Sequence, residues 1–220
     1  MKYLDYDKVK IAMVDDTPIK RLFSCSKEPE TIEWIEEYMK PGEVFYDIGA
    51  NVGAYSLVAA SRGIKVVAFE PSIPNLYHLI QNIKLNGFEY KIEIIPFVLS
   101  DFEGIQRFGY SSLEPGAASH FECKTPVFRH LHAAKRLDGL DFPDPNHIKI
   151  DVDGMEEYVL KGMIKILGLS PLRTIQIELP LEFIRLDVLI ESYGFKCARN
   201  TPHNLDTDFI GRRVRNTLFV

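Results

Sequence analysis

The chain has 220 residues, a formal net charge of −5 and a hydrophobic content of 46%. That suits one α/β domain with a sizeable core, argues against disorder, and gives no support to a general nucleic-acid binder. Cys25, Cys123 and Cys197 are odd in number and form no CxxC pair, which argues against a disulfide framework or zinc site, and no apolar run nears the ~18 residues of a membrane span.

Residues 1–40 read as an N-terminal extension packed on the core. Val9–Val14 is a short strand, Asp15-Asp16-Thr17-Pro18 a turn, and Glu30–Met39 a helix with Ile32, Ile35 and Met39 on one face, ended by Pro41-Gly42. Met1–Lys10 lacks a signal-peptide core, so a cytoplasmic location is expected.

From residue 41 to 220 the pattern is that of one domain in which strands and helices alternate. Glu43–Asp47, Ile64–Phe69 and Lys91–Leu99 read as strands, separated by helices over Val52–Arg62 and Pro71–Asn86. Residues 101–140 break the rhythm as an insertion: Gly104–Tyr110 and Lys124–Ala134 are expected strands around a small-residue loop, Ser111 to His120, placed near the acceptor pocket. The alternation resumes with strand His147–Ile150, helix Met155–Leu167, strand Arg173–Leu179 and helix Leu181–Tyr193. Phe195–Ala198 and Arg215–Val220 are expected to pair antiparallel. The order implies a mostly parallel sheet with right-handed crossovers.

The first strand runs into Asp47-Ile48-Gly49-Ala50-Asn51-Val52-Gly53. A dinucleotide turn reads G-x-G-x-x-G/A. Here Asn51 replaces the middle glycine, which otherwise lets a pyrophosphate approach the backbone, and Asp47 would repel phosphate. An acid at that point is welcome to a ligand carrying an ammonium and a sulfonium, the charges of S-adenosylmethionine. Glu70 ends the second strand about 20 residues on, where a carboxylate accepts both ribose hydroxyls.

Four blocks, Tyr46–Gly53, Ala68-Phe69-Glu70-Pro71-Ser72, Asn82–Gly87 and Ile148-Lys149-Ile150-Asp151-Val152-Asp153-Gly154-Met155-Glu156, together resemble the FkbM-type methyltransferases. In that family the last block usually reads IKxDVEGxE, and here Asp153 replaces the glutamate. The resemblance spans roughly residues 43–180. It implies a Rossmann-like class I methyltransferase fold, a seven-stranded mostly parallel sheet with an antiparallel last strand and helices on both faces. The implied activity is S-adenosylmethionine-dependent O-methylation of a hydroxyl on a sugar, glycan or small metabolite. Carried over by position, Asp47, Gly49, Asn51 and Gly53 would surround the methionine part, Glu70 would hold the ribose, and Pro71 and Ser72 would flank the adenine. Val98, Leu99, Ser100 and Asp101 would close over the base.

Methyl transfer needs alignment, and a hydroxyl acceptor gains from a general base. Asp151, at the end of the fourth strand, is the first candidate for base or cofactor orienter. Glu178 lies on the same rim, and His120 sits in the insertion loop. Asp151, Asp153, Glu156 and Glu178 could supply oxygen ligands to a divalent cation, against which Asp153 and Glu156 at a helix start can equally serve as caps; no metal is expected. His130 and His132 share one strand face and read as surface. His78 reads as exposed, His147 as structural, His203 as unpartnered, and Arg212-Arg213-Val214-Arg215 as a solvated charge run. A nicotinamide-dependent oxidoreductase and a non-catalytic S-adenosylmethionine-binding domain stay open as alternatives. The expected partner is a small-molecule or carbohydrate acceptor. No nucleic acid is expected, and the oligomeric state is not legible.

Overall fold

The computed structural model describes residues 1–117, 119–120, 126–180, 184–207 and 213–220. The chain begins with a two-strand pair, β1 (Lys2–Tyr3) and β2 (Ala12–Met13), and three helices, α1 (Ile19–Leu22), α2 (Ser24–Lys27) and α3 (Pro29–Tyr38). The alternating part follows as β3 (Val44–Ile48), α4 (Ala54–Ser61), β4 (Lys65–Phe69), α5 (Ile73–Asn86) and β5 (Ile92–Ile95). The insertion holds β6 (Val98–Leu99), β7 (Gly104–Tyr110), β8 (Ser119–His120) and β9 (Phe128–Lys135). Then come β10 (His147–Ile150), α6 (Glu156–Gly162), α7 (Ile164–Leu167), β11 (Thr174–Pro180), α8 (Ile184–Glu191), β12 (Cys197–Thr207) and β13 (Arg213–Phe219).

Seven strands form the main sheet in the order β12-β13-β11-β10-β3-β4-β5. β5, β4, β3, β10 and β11 are parallel, and β13 runs antiparallel to both β11 and β12. β10 lies beside β3 with Lys149 opposite Asp47, so the ends of the two strands meet at Asp151 and the glycine turn. The expected third strand is cut short. Pro96 has no amide to donate to a ladder, and beyond it Val98–Leu99 leaves the main sheet to pair with β9 in a second sheet, β6-β9-β7-β8. The expected Met155–Leu167 helix is likewise two pieces, α6 and α7, separated at Met163.

Alternation along the strands divides the core. Tyr46, Ile48, Ile148, Ile150, Ile175 and Ile177 face one side, where Val159, Leu160 and Ile190 of α6 and α8 cover them. The opposite side carries His147, Lys149, Thr174 and Gln176, all buried. The N-terminal segment covers this side and supplies partners to Thr174 and Gln176, whereas His147 bonds Thr174 and Glu43 and Lys149 bonds Asp151. Trp34 Nε1 donates to Thr174 Oγ1 (2.9 Å), Gln176 Nε2 donates to Thr31 Oγ1 (2.8 Å), and Asn216 Nδ2 donates to Glu30 Oε1 (3.0 Å). Residues 1–40 therefore roof this part of the sheet.

Three surface readings are corrected. His78 is buried, its Nδ1 3.2 Å from the Pro74 carbonyl oxygen and its Nε2 3.0 Å from Asp16, because α5 turns that face toward the N-terminal segment. Arg215 is buried and paired with Asp187, with Nη1 donating to Asn200 (2.8 Å). His130 and His132 are half-buried among aromatic rings, their own ring centroids 4.2 Å apart and Phe108 5.3 Å from His132. Arg212 and Cys123 lie outside the described residues, as do the side chains of His203, Arg213 and Val214.

Trp34 is 1% exposed and spans the roof and the sheet. Trp34→Ala is expected to cost about 3–5 kcal/mol, from lost contacts and the cavity left behind, measured by urea denaturation.

Candidate functional site

The carboxyl ends of β3, β4 and β10 open into a cavity of about 430 Å³, the position at which open α/β sheets hold ligands. Its floor is the glycine turn. Gly49 has φ +87°, and a Cβ there would lie 1.8 Å from the Asp151 carbonyl oxygen, so strand β10 can close against the turn only with glycine at this position. Asn51 keeps the left-handed conformation of the glycine it replaces, at φ +55°. Asparagine tolerates that region better than most residues, and here its Oδ1 accepts from the Val52 amide (2.9 Å).

One end of the cavity is built around Glu70. Its Oε2 accepts the Asn51 amide (2.8 Å), and its Oε1 accepts the Ser72 amide (2.8 Å) and Asn75 Nδ2 (3.4 Å). Burial nevertheless pushes this carboxyl up to about 7. Pro71, Asn75, Val98, Phe108 and Ala117 complete that wall. Of the insertion, Phe108 and Ala117 are described wall residues, on the Glu70 side. Asn75 also accepts the Gly116 amide through Oδ1 (2.7 Å), which fixes the insertion loop to Glu70.

The other end is electrostatic. Lys149 is buried, donates to Asp151 Oδ2 (2.7 Å) and lies over the Tyr55 ring, 4.9 Å from its centroid. Burial alone would depress this lysine, but Asp151, Glu28 and Asp47 together hold it above its ordinary value. Asp151 in turn is kept below the usual carboxylate range: burial opposes its charge and Lys149 outweighs that. One ammonium does not serve the remaining acids. Burial, with Asp151 beside it, pushes Asp153 up to about 7, and Glu178 is pushed up to about 9 by burial, Asp151 and Glu28. The wall facing these carboxylates comes from the N-terminal segment, through Lys20, Arg21, Ser24, Lys27 and Glu28.

The sequence-chosen residues fall into two groups. Gly49, Asn51, Glu70, Pro71, Val98, Asp151, Asp153 and Glu178 line the cavity. Asp47, Gly53, Ser72 and Ser100 are not on its wall. Asp47 lies beneath the turn, where Ser56 Oγ donates to Oδ2 (2.5 Å) and Oδ1, among the described residues, has no partner. Ser72 reaches Glu70 through its backbone amide, and Ser100 is buried where its carbonyl meets Gly162. The side chain of His120, in β8, lies outside the described residues. Glu156 is buried as a brace: Oε1 accepts the amides of Val152 (3.3 Å) and Gly154 (3.0 Å). Among the described residues no group of three or more His, Cys, Asp or Glu is arranged to hold a metal ion.

Sequence reasoning missed Lys149, Tyr55, Asn75 and the cationic wall. The alternation of Ile148, Lys149, Ile150 and Asp151 carried a signal for the first, since it puts Lys149 and Asp151 on one strand face.

The chain matches the Methyltransferase FkbM domain over residues 47–207. It belongs to the FkbM methyltransferase family. The hexuronic acid methyltransferase AglP of Haloferax volcanii is 26% identical over 201 residues, 89% of this chain and 81% of that protein. The crystal structure of the FkbM methyltransferase of Methylobacillus flagellatus KT superposes with a TM-score of 0.57 at 18% identity, covering 81% of this chain and 44% of that one. Magnesium protoporphyrin IX methyltransferase ChlM of Synechocystis PCC 6803, solved with S-adenosylmethionine bound, superposes with a TM-score of 0.56 at 14% identity over 89% of this chain and 77% of that one. The structural likenesses establish a Rossmann-like methyltransferase fold. The FkbM match begins at Asp47, so it takes in the glycine turn, Glu70 and the Asp151 block and leaves the cationic wall outside.

Burial pushes Glu156 up to about 7 from an ordinary 4.5. Below pH 4.5 folded and unfolded chains both carry its proton. Between these values the folded chain keeps a proton the unfolded chain has lost, so stability falls as pH rises. Glu156→Gln retains the accepting oxygen and removes the charge. It is expected to gain up to about 3 kcal/mol over the parent protein between pH 4.5 and 7, measured as the pH dependence of urea unfolding.

Proposed function

We propose that this FkbM protein is an S-adenosylmethionine-dependent O-methyltransferase acting on a hydroxyl of a sugar, glycan or other small metabolite. The observation that carries the reading is Glu70. It is buried at the end of β4, held by two backbone amides and facing a cavity whose far end is a group of carboxylates. That arrangement suits a nucleoside diol at one end and a cationic centre at the other. The cavity is in the size range of small-ligand sites. The name of AglP supports a carbohydrate acceptor.

S-adenosylmethionine, when bound, supplies a methyl group on a good sulfonium leaving group. The protein supplies position and a place for the acceptor's proton. A general base works best with a pKa near the working pH. Asp151, ionised and tied to Lys149, suits an orienting role. Asp153 lines the cavity and is pushed up to about 7, so the base is assigned to Asp153, with Asp151 as the fixed charge that raises it.

Calorimetric titration is expected to show binding of S-adenosylmethionine and none of NAD, and tight NAD binding alone would sink the reading. Glu70→Ala is expected to weaken cofactor binding about 10- to 150-fold, the worth of a hydrogen bond to a charged group. Asp153→Asn is expected to lower turnover about 10²- to 10⁴-fold, with cofactor affinity within a few-fold. Turnover of the parent protein should rise with pH toward a plateau above about 7, because the base must lose its proton. An Asp153→Asn variant with full turnover would return the role to Asp151 or Glu178.

A further inference from the structure

We propose that the acceptor carries an anionic group, a carboxylate or a phosphate, which docks on Arg21 and Lys20 of the N-terminal roof while its hydroxyl faces Asp153. This rests on the methyl-transfer reading above and names the acceptor class that reading leaves open.

The cavity wall has an unequal distribution of partners. Lys149 is committed to Asp151, and Lys27 lies 3.7 Å from Glu28. Arg21 and Lys20 also line the cavity, and neither makes an ion pair among the described residues. Arg21 is held by a neutral group instead. Its Nε (3.0 Å) and Nη2 (2.6 Å) both donate to the carbonyl oxygen of Gly116. That carbonyl belongs to a fixed residue, since the Gly116 amide donates to Asn75 Oδ1 (2.7 Å) and Asn75 also bonds Glu70 and the Ala117 carbonyl. The guanidinium is therefore pre-positioned without a paired carboxylate among the described residues and with Nη1 uncommitted to Gly116. An arginine arranged so is ready for a carboxylate or phosphate oxygen at little ordering cost.

Its place in the cavity separates two possible anions. Arg21 lines the same cavity as Asp151 and Asp153, and its charge favours their ionised forms. The carboxylate of the cofactor's own methionine is the rival ligand. Lys20 argues for the acceptor: it is exposed at the mouth of the cavity, on the segment that lies outside the FkbM match. A pair of cations lining the same cavity as Asp153 suits a molecule entering from solvent.

The test uses the whole protein saturated with S-adenosylhomocysteine. Methyl glucuronide, methyl glucoside 6-phosphate and neutral methyl glucoside are titrated calorimetrically. At least one charged probe is expected to bind tenfold or more tighter than the neutral one, with a preference that shrinks as salt is raised. Whether glucuronide or phosphate binds more tightly names the anion. Lys20→Ala should reduce the preference and Lys20→Glu abolish it, with S-adenosylhomocysteine affinity within twofold. Arg21→Gln should also abolish it, and Arg21→Lys restore part of it. Equal binding of the three probes, binding of none, or a preference unmoved by Lys20→Glu overturns the proposal. So does an Arg21→Gln variant that weakens S-adenosylhomocysteine and leaves the probe preference intact. If S-adenosylhomocysteine itself does not bind, the methyl-transfer reading falls and takes this one with it; binding without charge preference removes this one alone.

Discussion

A single buried ammonium sets the chemistry of the site. Lys149 stands on the central strand of the sheet, opposite Asp47 in register and hydrogen-bonded to Asp151. Isolated charges are expensive to bury, and a lysine without partners would lose its proton instead. Here several carboxylates keep it charged, and it can neutralise fully only one of them. Asp151 takes that role and stays ionised. Asp153 and Glu178, in the same low-dielectric space, are pushed toward their protonated forms by burial and by the charge on Asp151. Three acids within one chamber thus acquire three different proton affinities, which is the condition for assigning one as fixed charge and another as proton acceptor.

The roof makes this possible. Lys149 lies on a strand face that is polar throughout, with His147, Thr174 and Gln176 as neighbours. Left open, that face would be half-wet, and its charges would be screened to little effect. Trp34 and Thr31 cover it and bond Thr174 and Gln176, and Glu30 bonds the neighbouring Asn216. The roof's contribution to stability and its contribution to the site are consequently hard to separate: the hydrogen bonds that hold it down also keep water from Lys149.

Strands β3, β4, β10 and β11 and the helices between them were legible because their apolar periodicity is strong and their turns carry clear punctuation. Gly49, Asn51 and Glu70 were legible because a strand-turn-helix unit allows few residue types at those points. Lys149 was not, because a lysine in an alternating strand normally reads as the solvent face, and only the distant roof reverses that. His78 was misread for the same reason, and Arg215 because Asp187 of α8 and Asn200 of β12 take up its charge and donors. The break at Pro96 and the passage of Val98–Leu99 into a second sheet were invisible to periodicity, since a two-residue strand has none. Asn75 reads as an ordinary position near the start of a helix. Its role as the link between Glu70 and the insertion loop depends on where residues 116 and 117 fold back.

The Gly116 carbonyl receives Arg21 from a segment some 95 positions away in sequence, and Asn75 fixes the same residue from the Glu70 side. Two parts of the chain that lie on either side of the cavity are thereby joined through one peptide unit. The FkbM match covers only one of those parts. The first forty residues therefore do more than roof the sheet: through that one carbonyl they hold the cationic wall in register with the loop that braces Glu70.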